Sequence, residues 1–77
     1  MRIQGKYIVS YKETWTTNLV RQFTHNLGSS DLQVSLWDLT TNRAILPDEM
    51  EIINDNVLEV SVSELPGSGI RVIIFAL

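Results

Sequence analysis

Val57-Leu58-Glu59-Val60-Ser61-Val62-Ser63 alternates strictly, with Leu58, Val60 and Val62 on one side and Glu59, Ser61 and Ser63 on the other. A period of two is the pleat of a β-strand that has one face in a core and one in water. Leu32-Gln33-Val34-Ser35-Leu36-Trp37-Asp38 repeats the pattern: Leu32, Val34 and Leu36 point inward, and Gln33, Ser35 and Trp37 point outward. Near the start, Tyr7, Val9 and Tyr11 alternate with Lys6, Ile8 and Ser10. The stretch 14–24 is rich in Thr, Trp, Val and Phe, which favour pleated structure.

Turn chemistry separates these runs: Asn26-Leu27-Gly28-Ser29-Ser30-Asp31, Thr40-Thr41-Asn42, Asn54-Asp55-Asn56 and Pro66-Gly67-Ser68-Gly69. The spacing is that of short hairpins, with Pro66 to Gly69 read as one of the hairpin turns. No helical stretch lies between strands, as a βαβ layout would need. The expected fold is all-β, a small antiparallel β-sandwich of about six or seven short strands, immunoglobulin-like or jelly-roll-like. Pro47-Asp48-Glu49-Met50-Glu51 has the marks of a helix start, with proline first and acids following. A helix there would have to end at Asn54-Asp55-Asn56 after barely two turns, so a turn followed by a strand over Glu49 to Ile53 is preferred.

With 77 residues and no cysteine, the chain is one domain stabilised by packing alone. It divides into an N-terminal arm or strand, 1–12, and a sandwich, 13–77. A core this small nearly balances its conformational entropy cost, which makes association with identical copies the default expectation. Ile70-Arg71-Val72-Ile73-Ile74-Phe75-Ala76-Leu77 strengthens it: Ile70, Val72, Ile74 and Ala76 lie on one face, and Ile73, Phe75 and Leu77 on the other. A thin sandwich buries one face, so the second must be covered by the N-terminal segment or by another chain, and another copy is favoured. Ile70, Val72, Ile73, Phe75 and Leu77 are therefore the expected oligomer interface.

Several partners and activities are disfavoured. The net charge is −3 and the six Lys and Arg residues are scattered, whereas nucleic-acid binding needs clustered cations. The longest apolar run, Val72 to Leu77, is far short of the ~20 residues of a membrane helix, and Met1 to Lys6 lacks the features of a signal peptide. His25 is the sole histidine and no cysteine or Gly-x-Ser-x-Gly elbow accompanies it, so His25, Asn26 and Gly28 are read as a structural turn and no enzyme is expected. Asn26 and Gly28 both suit positive φ. Gly67-Ser68-Gly69 precedes a strand rather than a helix, which removes a phosphate cradle. The acids, Asp38, Asp48, Glu49, Glu51, Asp55 and Glu59, form no calcium loop. No metal and no cofactor are expected. Trp15 belongs in the core or in a subunit contact. Trp37, with Tyr7 and Tyr11, is the candidate partner surface, lateral packing being the plainer role for Trp37.

The run Phe23-Thr24-His25-Asn26-Leu27-Gly28, followed by Asp31 to Asp38, resembles a module of bacteriophage tail-fibre, appendage and capsid decoration proteins. The resemblance continues through Ile45-Leu46-Pro47-Asp48, Ile52-Ile53-Asn54-Asp55-Asn56-Val57 and Pro66-Gly67-Ser68-Gly69-Ile70-Arg71-Val72, and spans about Trp15 to the end. Asn18 to Gln22 is extra length before Phe23, and Leu46 is an insertion ahead of the proline. The resemblance implies a small β-sandwich assembled as a trimer on a virion. The expected function is that of a non-enzymatic capsid decoration or cement protein, made in the host cytoplasm and placed on the outer surface of the virion. Its partners would be copies of itself and the major capsid protein or another virion protein, the latter reached by residues 1–12. The acidic charge fits that outer surface. The alternative is a tail-fibre or appendage tip that binds a host-surface glycan.

Overall fold

The structure, a computed structural model, describes residues 9–77. Among them are seven strands and no helix: β1 (Val9–Trp15), β2 (Val20–Thr24), β3 (Leu32–Asp38), β4 (Arg43–Ala44), β5 (Glu49–Asn54), β6 (Val57–Ser61) and β7 (Ile70–Ala76). One sheet has the order β1-β7-β3-β4 and the other β2-β6-β5, and every pairing is antiparallel. The fold is the expected small β-sandwich. Strand 1 pairs with strand 7 and strand 2 with strand 6, so strands far apart in sequence are neighbours in both sheets.

The period-two segments supply the core. Trp15, Phe23, Leu36, Leu58, Val60, Val62, Ile70, Val72 and Ile74 are all buried. Trp15 of β1 meets Phe23 of β2 edge to face, ring centres 5.4 Å apart, so these two strands lie at the same side of the sandwich. The Trp15 indole N–H donates to the carbonyl oxygens of Thr17 and Asn18, each at 2.8 Å, which leaves no unpaired polar atom on this buried ring. Asn18 adopts φ 66° between β1 and β2, where the chain leaves one sheet for the other.

Several expectations are corrected by this topology. Among the described strands only the β3–β4 and β5–β6 connections are hairpins. The Pro66–Gly69 turn, closed by the Gly69 N–H on the Pro66 carbonyl at 3.0 Å, carries the chain from β6 in one sheet to β7 in the other. The arm boundary at residue 12 also moves: residues 9–12 belong to β1 and pair with Ile73 to Ala76 of β7. β1 lies beside β7 and does not cover its second face. Glu49 to Asn54 is a strand, as preferred over the helix.

Ile70 and Val72 are removed from the expected oligomer interface. Both are fully buried, because β7 is the second strand of the four-stranded sheet and turns this face onto β2 and β6 of its own chain. Their alternation with Arg71 and Ile73 leaves only the other face of β7 outward.

Candidate functional site

The outer face of the four-stranded sheet is assembled by register. Phe75 stands between Ser10 and Gln33, Ile73 between Lys12 and Ser35, and Arg71 between Thr14 and Trp37, with Ala44 beyond Trp37. Of the residues expected at interfaces, Ile73, Phe75 and Trp37 are thus brought onto one face. Trp37 is 42% exposed, while Ile73 and Phe75 are half-buried. Lys12 and Arg71 make the face cationic, and a shallow depression bounded by Lys12, Thr14, Arg71 and Ile73 lies on it. Leu77 lies past the end of β7, exposed, its N–H on the Asp31 carbonyl at 2.8 Å.

Tyr7 lies outside the described residues. Tyr11 does not join the partner surface: it is paired with Ile74, on the same side of β1 as Trp15, and packs against the core. Its hydroxyl donates to Glu13, which also receives the Arg21 guanidinium from β2. Arg21 in turn lies 4.8 Å from the Phe23 ring centre. The three polar side chains close the gap between the sheets where β1 faces β2. The Tyr11 hydrogen bond, and after it Arg21, hold the Glu13 carboxyl below its ordinary range against partial burial. Burial first, and Glu13 second, push the Tyr11 hydroxyl up.

His25, Asn26 and Gly28 form the turn that the sequence indicates. Asn26 has φ 55° and Gly28 φ 64°. The loop is bonded to the β5–β6 turn: the His25 and Asn26 N–H groups donate to the Asn56 carbonyl at 2.8 and 3.3 Å, and the Gly28 N–H donates to Asn56 Oδ1 at 2.9 Å. The stretches around His25 and Asn56 are therefore physically one unit. His25 is buried, and its Nδ1 accepts the Leu27 N–H at 3.1 Å, which places the ring proton on Nε2. Nε2 is buried without a partner, and burial pushes the imidazole pKa down. Burial so disfavours the charged form of this ring.

The other sheet presents a contrasting surface. Gln22, Glu59 and Glu51 lie side by side on its outer face, and Glu49 stands opposite Ser61. The Gln22 amide donates to Glu59 at 3.2 Å. Met50 and Ile52 pair with Val60 and Leu58 and so belong to the core side, yet they are 47% and 46% exposed. Because β1 and β2 share one side of the sandwich, β5 lies on the side where the facing sheet ends in the two-residue β4. Nothing of that length can cover β5. Sequence reasoning missed this surface, since its apolar residues alternate as core residues do.

A depression of about 220 Å³ lies among Ile45, Leu46, Asp48, Val62, Glu64 and Pro66, with Asp38 and Ser63 also on its wall. Its polar groups serve the loops: Ser63 Oγ donates to both Asp48 oxygens at 2.9 and 2.8 Å, and Asp38 Oδ1 accepts the N–H groups of Thr40 and Thr41 at 2.7 and 3.1 Å. His25 is at the opposite end of β6, so no imidazole stands beside Ser63 to act as its base. Among the described residues no group of three or more metal-binding side chains comes together. Leu46 is 90% exposed at the rim. Comparison of the chain with protein-family models, with curated proteins and with solved structures finds no match.

Proposed function

We propose that this chain is a non-enzymatic structural protein of a bacteriophage virion, a decoration or cement subunit that works as a homo-oligomer, a trimer, on the outside of the capsid. The observation that carries the assembly part is the outer face of the four-stranded sheet, where Ile73, Phe75 and Trp37 stand in a region that an isolated sandwich would keep polar. The virion part and the trimer rest on the family resemblance. The Asn26–Gly28 and Asn54–Asn56 segments that carry it are bonded to one another, as parts of one inherited unit would be.

The reading is tested on particles. Phage particles banded from cultures of the organism that encodes the chain are probed with an antibody raised against it, and light scattering gives the mass of the purified chain. Its presence in stoichiometric amounts on particles, and a concentration-dependent mass above that of one chain, are the expected results; absence from particles refutes the virion role.

A second reading, an appendage tip that binds host glycans, is favoured by Trp37 alone, an exposed indole beside Arg71 that offers a sugar-stacking face. Glycan-array binding lost in Trp37→Ala, with the fold intact, would establish it.

A further inference from the structure

Among the described residues, the outer faces of the two sheets are opposite in charge. Lys12 and Arg71 stand on the four-stranded sheet, diagonal to one another across β1 and β7, and no carboxylate shares that face. Glu49, Glu51 and Glu59 stand on the three-stranded sheet, and no cation shares that one. The one ion pair among the described residues, Arg21 with Glu13, involves none of these five side chains. Apolar groups accompany both sets. On the four-stranded sheet Ile73 is beside Lys12, and Trp37 of β3 is beside Arg71. On β5 the glutamates alternate with Met50 and Ile52, which the two-residue β4 leaves 47% and 46% exposed. Each surface therefore has a charged side and an apolar side, and the charges are of opposite sign.

We propose that the β5 margin of one copy lies against the outer face of the four-stranded sheet of a second copy, with Glu49 and Glu51 on Lys12 and Arg71 and with Met50 and Ile52 on Ile73 and Trp37. This inference rests on the homo-oligomeric reading above and names the two surfaces that meet. Charge selects the pairing. Two four-stranded faces set against each other bring Lys12 and Arg71 together with their copies, and two β5 margins do the same to Glu49 and Glu51; the mixed contact joins opposite signs. β5 is also guarded against simple strand addition, by its glutamates and by the irregularity between Ile52 and Asn54. Its N–H and C=O groups that β6 does not bond would instead meet Thr14, Gln33 and Ser35 and the two cations, which supply donors and acceptors. The surfaces differ, so the contact is head-to-tail. They are an edge and a face of the sandwich, adjacent sides rather than opposite ones. Successive copies therefore turn, and the contact closes into a ring where the rotation allows, as a trimer requires.

The test is sedimentation equilibrium of the full chain over a range of concentrations. Lys12→Glu with Arg71→Glu reverses the face, Glu49→Lys with Glu51→Lys reverses the margin, and a fourfold variant reverses both. All four side chains are exposed, and circular dichroism checks the fold. Each double variant should weaken association by about tenfold to a hundredfold, as expected for reversal of exposed charge pairs, and the fourfold variant should recover it to within about threefold. A parent chain monomeric at every concentration overturns the proposal together with the homo-oligomeric reading. If the parent associates and both double variants associate like it, or if only the face variant is weakened, or if the fourfold variant does not recover, the contact between margin and face is overturned while the homo-oligomeric reading stands.

Discussion

Alanine at three glycines separates backbone strain from close packing, because the same added methyl group meets a different environment at each. At Gly67 a Cβ would have nothing within 4 Å and the φ angle is not in the left-handed region. Gly67→Ala should therefore be neutral, or stabilising by up to about 1 kcal/mol through the unfolded chain. At Gly28 the space is equally open but φ is 64°, so the cost is strain alone, about 1–2 kcal/mol. At Gly69 φ is 90° and a Cβ would lie 2.9 Å from Thr16 Cγ2 and 3.0 Å from the Trp15 carbonyl oxygen. The threonine methyl can rotate away; the backbone oxygen cannot without disturbing the junction where Ile70 pairs with Trp15. Strain and overpacking together should cost about 2–5 kcal/mol. With a urea m-value of about 1 kcal/mol/M for a chain this small, the midpoints should separate by whole molar units. Asparagine, which tolerates left-handed φ, should rescue position 28 and not position 69. Equal losses in Gly28→Ala and Gly69→Ala would refute the close approach of the β7 entry to the end of β1.

Acid should destabilise the fold in two windows. The His25 pKa is lowered from 6.5 by burial, so the unfolded chain takes the proton first, and stability, level above about 6.5, falls as the pH drops toward the folded-state value. Glu13, held low by Tyr11 and Arg21, contributes stability above its ordinary value of 4.5 that is lost as the pH falls through its lowered one. Urea titrations at a series of pH values should lose the first window and keep the second in His25→Asn; an unchanged profile would show that His25 is not the titrating group. In thermal melts Ile74→Ala, at a fully buried site, should cost about 2–5 kcal/mol, and Leu46→Ala, at an almost fully exposed one, less than about 0.5 kcal/mol. A large loss at Leu46 would show that this residue is covered in solution.

The fold class was legible because β3 and β6 each have one wet and one dry face, so a period of two is unambiguous over 32–38 and 57–61. The connections were not, because a turn sequence such as Pro66 to Gly69 reverses or redirects the chain equally well, and only the partner of the next strand decides between hairpin and crossover. β7 is apolar on both faces save for Arg71, which shares a face with Ile73 and Phe75 and so marks it as the outer one, a local signal overridden by the reading of the whole strand as an interface. In β1 the deciding residue is Trp15: once it is inward, parity brings Glu13 and Tyr11 inward with it, a signal present in the sequence and overridden by the reading of tyrosine as a contact residue. The exposure of Met50 and Ile52 depends on the shortness of β4, which lies elsewhere in the chain and in the other sheet. The His25 turn was legible because Asn and Gly announce positive φ themselves.

The position of β7 also constrains how the protein is made. It is bonded to β1 on one side and β3 on the other, yet of the seven strands it is the last to leave the ribosome. Until then β1 and β3 have no bridge between them, and among the described strands the ladders that can form early are those of the β3–β4 hairpin and the three-stranded sheet. The apolar faces of Trp15, Phe23, Val60 and Val62 must wait, half-covered, for the seven residues of β7. Pairing between strands so far apart in sequence is slow to close, so the sandwich should complete only after β7 has emerged, and a ribosome stalled before Ile70 should hold a chain that a protease cuts readily in β1.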